Sequence, residues 1–262
     1  MKIYFGLIFN QRSKPAYQKL KDLLADNAIG KIRNWQWTAA KTWRPQAYYE
    51  QNDWRATWNG EGGGILINQA SHHIDLIAWL FGMPQKVYAH LKYGSQRNIT
   101  VDDDVTAVLS YANGMSGVFT TRTHDFFGTD RLEILGDKGK IIIENGDSMN
   151  MKVFEQEEQL WSKDLDISAF KAIEENAPRY QEKVFEFHDR GQNPYVNIMK
   201  NFSESITENA PLYATREDGE RNVELINAIY LSDWLQREVD IPFDQSLYLE
   251  KLNKIMEKER EG

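Results

Sequence analysis

The 262 residues hold 31 Lys and Arg against 39 Asp and Glu, a net charge of -8, with 41% hydrophobic and 12% aromatic residues and no cysteine. That length and apolar content suffice for one large core or two small ones, and an acidic balance without a Lys/Arg run excludes a nucleic-acid groove or an anionic membrane surface, leaving a small molecule as partner. Without cysteine there are no disulfides, thiolate metal sites or Cys nucleophile, so any chemistry rests on oxygen and nitrogen groups.

Met1 to Phe9 is too short for a signal peptide, because Asn10, Gln11 and Arg12 interrupt it and no small-residue cleavage site follows. No segment reaches the roughly 20 apolar residues of a membrane span, which makes the cytoplasm the default address. Ile3 to Phe9 itself reads as a short buried strand. A helix is expected next, with Ser13 as N-cap, Pro15 in the first turn, Tyr17, Leu20, Leu23 and Leu24 at helical spacing, and Gly30 at its end. Lys31 to Ala39 follows as a strand with Ile32, Trp35 and Trp37 as its bulky members. Ala40 to Gly64 loses periodicity and is rich in Trp, Tyr, Arg and Gly. So long a loop in a compact domain is functional or disordered, and its aromatics argue against disorder, so it is expected to be binding surface. Ile65 to Phe81 is expected to be a helix, closed by Gly82 and Pro84.

The period then changes from helical to alternating, which places strands near Lys86 to Lys92, Val105 to Tyr111, Met115 to Thr123, Arg131 to Leu135 and Lys140 to Glu144. Asn113-Gly114 is expected to turn a hairpin with both residues at positive φ, and Gly136 to Gly139 another. Strands joined by tight turns imply an antiparallel or mixed sheet, unlike the strand-helix alternation of a doubly wound fold. Met149 to Trp161 adds one or two weak strands, and Ser162 to Gln192 has no clear pattern. Helices are expected over Pro194 to Ile206, Arg216 to Arg237 and Leu247 to Met256, with Val239 to Phe243 an edge strand beside Pro242.

On a helix from Ile65 to Phe81, Asn68, His72 and Asp75 at i, i+4 and i+7 share one face, and Gln69 and His73 a neighbouring one. A neutral imidazole suits removal of a proton from a sugar hydroxyl as hydride leaves the same carbon. His72 is the candidate, with Asn68 orienting the ring or a substrate hydroxyl and Asp75 fixing the tautomer. On spacing alone the commoner outcome is that His72 or His73 caps a polar network and catalyses nothing. In the loop, Trp43, Arg44, Tyr48, Tyr49, Trp54, Arg55 and Trp58 suit the C–H faces of sugar rings and hydroxyl pairs or carboxylates, with Trp54 and Trp58 expected to pin the loop to the sheet. Trp43, Arg44, Tyr48, Tyr49, Arg55, Gln69, His73 and Asp75 make up the expected substrate-binding set. The Gly60 to Gly64 cluster follows an aromatic loop instead of a buried strand, so it is expected to allow a tight turn and leave room for a ligand, not to cradle a phosphate. No dinucleotide fingerprint is found, and cofactor-binding residues stay unassigned. Asp102-Asp103-Asp104 is expected to be a solvated strand start, and His90, His124 and His188 are too scattered for zinc, so no metal is expected.

The pattern of Arg44 through Tyr48-Tyr49, Trp54-Arg55, Gly62-Gly63-Gly64, Asn68-Gln69, His72 and Asp75-Leu76, ending at Trp79-Leu80-Phe81-Gly82, resembles the signature region of the Gfo/Idh/MocA oxidoreductases. Looser matches extend it, among them Ile29-Gly30-Lys31-Ile32, Asp103-Asp104-Val105 and Arg131 to Gly136. The resemblance implies an α+β fold, a large mostly antiparallel (mixed) open sheet with helices packed on one face, as in the family's C-terminal domain. It implies that 1–262 is a single substrate-binding and oligomerisation domain. The family's N-terminal Rossmann domain, which binds NAD or NADP and ends in a Glu-Lys-Pro motif with a catalytic Lys, finds no counterpart in this sequence. NAD or NADP is therefore expected for a full-length enzyme, and neither is expected to bind this chain tightly. The family's proton-accepting His falls on His72 and its Asp on Asn68, which orients by hydrogen bonds but takes no proton. The function so implied is the substrate-binding and catalytic half of an NAD(P)-dependent oxidoreductase acting on a sugar or polyol hydroxyl, a homodimer or homotetramer through its sheet face. The alternative is a non-catalytic sugar-binding or oligomerisation module.

Overall fold

Strand β1 (Ile32–Ala39) sets the architecture. Its Trp35, Trp37 and Ala39 are buried while Asn34, Gln36 and Thr38 point the other way, as a strand covered on one face requires. It pairs parallel with β4 (Ser116–Arg122) and antiparallel with β5 (Asp130–Gly136), so it joins two antiparallel halves. One half continues from β4 through β3 (Asp102–Ser110) and β2 (Lys86–Tyr93) to the two-residue β9 (Val239–Asp240). The other runs from β5 through β6 (Gly139–Glu144) and β7 (Ser148–Phe154) to β8 (Tyr180–Glu186). The computed structural model describes residues 4–173, 177–187 and 193–261, and its sheet has nine strands in the order β8-β7-β6-β5-β1-β4-β3-β2-β9. This mixed open sheet with helices is the α+β fold expected from the sequence.

Helices α1 (Pro15–Ala25), α3 (Ser71–Phe81) and α7 (Arg216–Leu235) cover one side of the sheet. Phe81 stacks on Trp35 with ring centroids 4.8 Å apart, and Tyr17 meets Trp37 at 5.9 Å. Gly117 lies under Trp35, where a Cβ would come within 2.2 Å of the indole. On α7, Ser232 and Asp233 accept from the β2 amides of Ala89 and Leu91 at 3.0 and 2.8 Å. Its N-terminus is closed by a reciprocal Thr215–Asp218 capping box, which satisfies amides the helix itself leaves open. The remaining helices, α2 (Gln46–Tyr49), α4 (Glu158–Ser162), α5 (Ile167–Lys171), α6 (Pro194–Thr207) and α8 (Gln245–Glu261), lie outside this layer's centre. The opposite sheet face exposes Tyr88, Val108 and Leu135. No helix among the described residues is long and apolar enough to cross a membrane.

The structure corrects several local expectations. Tyr4 to Phe9 forms no strand, and Ile3 lies outside the described residues; the segment crosses the helical side, where Leu7 donates to the Ala214 carbonyl at 3.2 Å. Ser13 belongs to a 3-10 turn (Asn10–Ser13), so Lys14 is the N-cap of α1. Helix α3 starts at Ser71, not Ile65; the residues before it form turns, with Asn68 donating to the Gly64 carbonyl at 3.1 Å and Ala70 to the Ile65 carbonyl at 2.7 Å, while Gly64, Ile65 and Leu66 donate to Asp102. In the β3–β4 turn only Gly114 has positive φ, while Asn113 accepts the Met115 amide through its side chain at 3.0 Å. Of the weak strands expected over Met149 to Trp161 one forms, β7, and the short α4 follows it; the unpatterned stretch from Ser162 holds α5 and β8, and residues 174–176 and 188–192, with His188, lie outside the described residues.

Candidate active site

Asp102 organises the loop that carries the site. Expected as a solvated acid, it is instead fully buried at the start of β3, accepting from the amides of Gly64 at 2.7 Å and Leu66 at 3.0 Å and from the Tyr230 hydroxyl at 2.6 Å. Burial pushes this carboxyl up, and the three donors pull it back towards the charged form. Asp103 is buried too, accepting from Ser95 and Gln96. Gly64 admits no side chain, since a Cβ would lie 2.1 Å from the Asp102 carbonyl oxygen. The glycine run is thus clamped against the sheet.

Clamping brings a polar cluster together around Tyr48. The Tyr48 hydroxyl accepts from Arg55 Nη1 at 2.7 Å and from the Gln69 amide at 3.3 Å. The guanidinium carbons of Arg55 and Arg44 lie 4.5 and 4.9 Å from the Tyr48 ring centroid. Glu61, a residue the sequence reading passed over amid the glycines, accepts from the Ala56 amide at 2.7 Å and from the Asn68 side-chain amide, and sits 4.0 Å from Arg55. Because Glu61 takes the Asn68 NH2 group, Asn68 Oδ1 is left to accept from a ligand. Arg44, Tyr48, Arg55, Asn68 and Gln69 therefore form one assembly, with Glu61 added.

His72 stands in the first turn of α3, half-buried, its ring 6.2 Å from Phe9 in an edge-on contact. Burial and then the nearby Lys14 hold its pKa below the usual histidine value, which favours neutral imidazole. Nδ1 is sealed from solvent without a hydrogen-bond partner, so Nε2 is the nitrogen able to exchange a proton. Among the described residues no hydrogen bond or ring contact joins His72 to the Tyr48 cluster; the connection runs along the chain through Asn68 and Gln69. Lys14 had no periodic or motif signal of its own in the sequence.

Three expected ligand contacts belong to the interior instead. Asp75 is fully buried with both oxygens on Arg12, at 2.7 and 2.9 Å, so it fixes no imidazole tautomer and reaches no substrate. Tyr49 packs in the core, where burial pushes its phenol up. His73 turns edge-on to Trp37 at 5.3 Å, and burial lowers its pKa. Trp58 pins the loop as expected, against Tyr230 and Trp234 at 5.3 and 5.6 Å. Trp54 does not; it is 47% exposed, with Arg55 4.6 Å from its ring. Trp43 is 38% exposed and meets Phe126 edge-on at 5.2 Å, outside the Tyr48 cluster.

The Gly60 to Gly64 run is no phosphate cradle. The amides of Gly60, Glu61 and Gly62 donate to Thr57, and that of Gly64 to Asp102. Among the described residues no three His, Asp or Glu side chains gather as metal ligands.

Residues 17–142 match the family model described as the GFO/IDH/MocA C-terminal domain. Oxidoreductase P35 of Formosa agariphila is 28% identical over 133 residues, 50% of this chain and 40% of that protein. Levoglucosan dehydrogenase of Pseudarthrobacter phenanthrenivorans is 27% identical over 51% of this chain and 40% of its own length. The matches thus span well under two thirds of these curated relatives. Among solved structures, the WlbA dehydrogenase of Chromobacterium violaceum, in complex with NADH and UDP-GlcNAcA, is 25% identical with a TM-score of 0.66, covering 90% of this chain and 62% of that one. Levoglucosan dehydrogenase in complex with NADH and L-sorbose shares the fold at 21% identity and a TM-score of 0.68, over 90% of this chain and 65% of that one. The stretch holding the Tyr48 cluster, His72 and Asp102 is therefore the stretch that matches the GFO/IDH/MocA C-terminal domain, and the described chain has the fold of Gfo/Idh/MocA dehydrogenases.

Proposed function

We propose that this chain is the substrate-binding part of an NAD(P)-dependent oxidoreductase that removes hydride from a sugar or polyol hydroxyl carbon, with His72 accepting the hydroxyl proton. The observation that carries the reading is a neutral, half-buried imidazole whose Nδ1 is sealed, placed four residues after an Asn68 whose free oxygen accepts from a hydroxyl. Dehydrogenases that match this chain's fold, and whose structures hold NADH with a sugar, support the class. The amides of Gly60, Glu61, Gly62 and Gly64 are consumed within the protein, so this run does not cradle a dinucleotide phosphate, and a nicotinamide would be held by residues other than these glycines. The chain's own part is to seat the sugar with Asn68, Gln69, Tyr48 and Arg55 and to take the proton at His72 Nε2. In the enzyme comprising this chain and a dinucleotide-binding domain, His72→Ala is expected to cut turnover about 100-fold or more, with sugar affinity changed little. The wild-type kcat/KM should fall on acidification with a midpoint below the ordinary histidine value, since the neutral form is the active one and burial and Lys14 lower its pKa. Retained turnover in the variant ends the role of His72.

The same observation about the glycine amides favours a second reading, a sugar-binding or oligomerisation module without catalysis. It requires sugar binding by calorimetry with no nicotinamide binding, and submicromolar affinity for NAD or NADP would count against it. In either reading the open sheet face is the proposed interface of a dimer or tetramer, because Tyr88 and Val108 stand opposite each other across β2 and β3 and both are exposed. Val108→Glu is expected to shift the protein to monomer in light scattering, and a wild type that is already monomeric at high concentration would sink the interface.

A further inference from the structure

We propose that the sugar taken by this site is acidic, its carboxylate seated on Arg44 and Arg55 beside Tyr48. The inference rests on the sugar-binding reading above and narrows it from neutral polyols to carboxylate-bearing sugars.

In a chain of net charge -8, two guanidiniums lie within 5 Å of one phenol ring with almost no counter-charge. Arg44 has no carboxylate within 4.0 Å among the described residues, although Glu50 and Asp53 are close in sequence. Arg55 has Glu61 at 4.0 Å, a carboxylate that also accepts from Ala56 and Asn68, so one acid is shared by the cluster. By contrast Arg12, Arg131 and Arg216 each hold a carboxylate at 2.7 to 2.8 Å. A third guanidinium adds to the excess, since Arg97 Nε donates to the Arg44 carbonyl at 2.8 Å and no carboxylate lies within reach of it. The adjacent Asp103 is buried and satisfied by Ser95 and Gln96. Among the described residues, three guanidiniums with Glu61 as the one acid in contact leave a local positive excess, which an anion would complement.

The donors say which anion. Nη1 of Arg44 donates to the Trp43 carbonyl and Nη1 of Arg55 to Tyr48, which leaves Nη2 of each without a protein acceptor. Tyr48 oxygen already accepts two hydrogen bonds, so its own O–H points to a further acceptor. Nε of both arginines is sealed from solvent, so each offers Nη2 beside the Tyr48 hydroxyl, and charged N–H donors with a phenol O–H suit a carboxylate. Phosphate is favoured by converging backbone amides, and here those amides are used internally. Trp54, half exposed beside Arg55, offers an apolar face to the C–H side of a sugar ring.

Calorimetry on the chain at low ionic strength tests this with D-glucuronate and D-galacturonate, the matching hexoses, and D-glucose 6-phosphate. At least one uronate is expected to bind about tenfold more tightly than its hexose, which corresponds to about 1.4 kcal/mol. Arg44→Gln and Arg55→Gln, with unchanged circular dichroism, should each lower uronate affinity more than hexose affinity and so erase most of that preference. Hexose binding equal to uronate binding overturns the acidic-sugar proposal and leaves the sugar reading standing. Tightest binding by the sugar phosphate overturns the carboxylate, and a uronate preference that survives both substitutions overturns its placement. Binding of none of the probes overturns both readings.

Discussion

Arg12→Met is expected to destabilise the protein by about 3–5 kcal/mol, the cost of leaving a buried carboxylate unpaired. The Arg12 and Asp75 side chains are 3% and 1% exposed, and Arg12 also donates to the Tyr213 carbonyl and lies 3.1 Å from Asp218. One guanidinium thus ties the 3-10 turn, α3 and the start of α7 into a single unit. For a chain of this size the loss corresponds to a fall of roughly 10 °C in melting temperature. Arg12→Met combined with Asp75→Leu should recover most of it, because no charge is then left in the interior. A single variant that melts within about 2 °C of wild type would show that the pair contributes nothing.

The second large effect is expected at Asp102. Asp102→Ala leaves the Gly64 and Leu66 amides and the Tyr230 hydroxyl without their acceptor in a site sealed from water. At about 1–3 kcal/mol for each of the three orphaned donors, the total is on the order of 3–9 kcal/mol, measurable by urea unfolding. Asp102→Asn, which retains one acceptor oxygen, should cost less. Since this clamp holds the loop with Glu61 and Asn68, both variants should also weaken sugar binding by the isolated chain. Unchanged sugar affinity in a folded Asp102→Asn protein would separate the clamp from the site.

Most of the sheet could be read from the sequence because each strand is buried on one face, and alternation such as that of Trp35, Trp37 and Ala39 survives in any tertiary context. The parallel β1–β4 pair could not, since no local pattern encodes which strands become neighbours. Helical spacing also overran α3 at its start: the apolar period from Ile65 onward is real, but Ala70 donates to Ile65, five residues back, and the segment is held to Asp102 of β3 as a turn, a tertiary contact no local period encodes. The same blindness to distant partners misassigned Asp102 and Asp75, whose acceptors and donors lie on other elements. The grouping of Arg44, Tyr48 and Arg55 was legible because the aperiodic Ala40 to Gly64 loop is rich in aromatics and arginine, and Asn68 and Gln69 stood out by their spacing before His72 and His73. Glu61 was hidden by its glycine neighbours, and the burial of His73 depends on packing against Trp37 and Phe119, on two strands distant from it in sequence.

The placement of β1 bears on how the protein is made. Both neighbours of this strand are encoded downstream of it, and about 100 residues separate its end from the end of β5, so at about 5–20 residues per second β1 waits on the order of 5–20 s for a partner. During that interval an extended segment with two tryptophans has both edges open, the kind of stretch that sticks to other nascent chains. The hairpins on either side can close as soon as they leave the ribosome, whereas the tryptophan strand needs shelter, and a chaperone acting on this polypeptide has its reason to bind there.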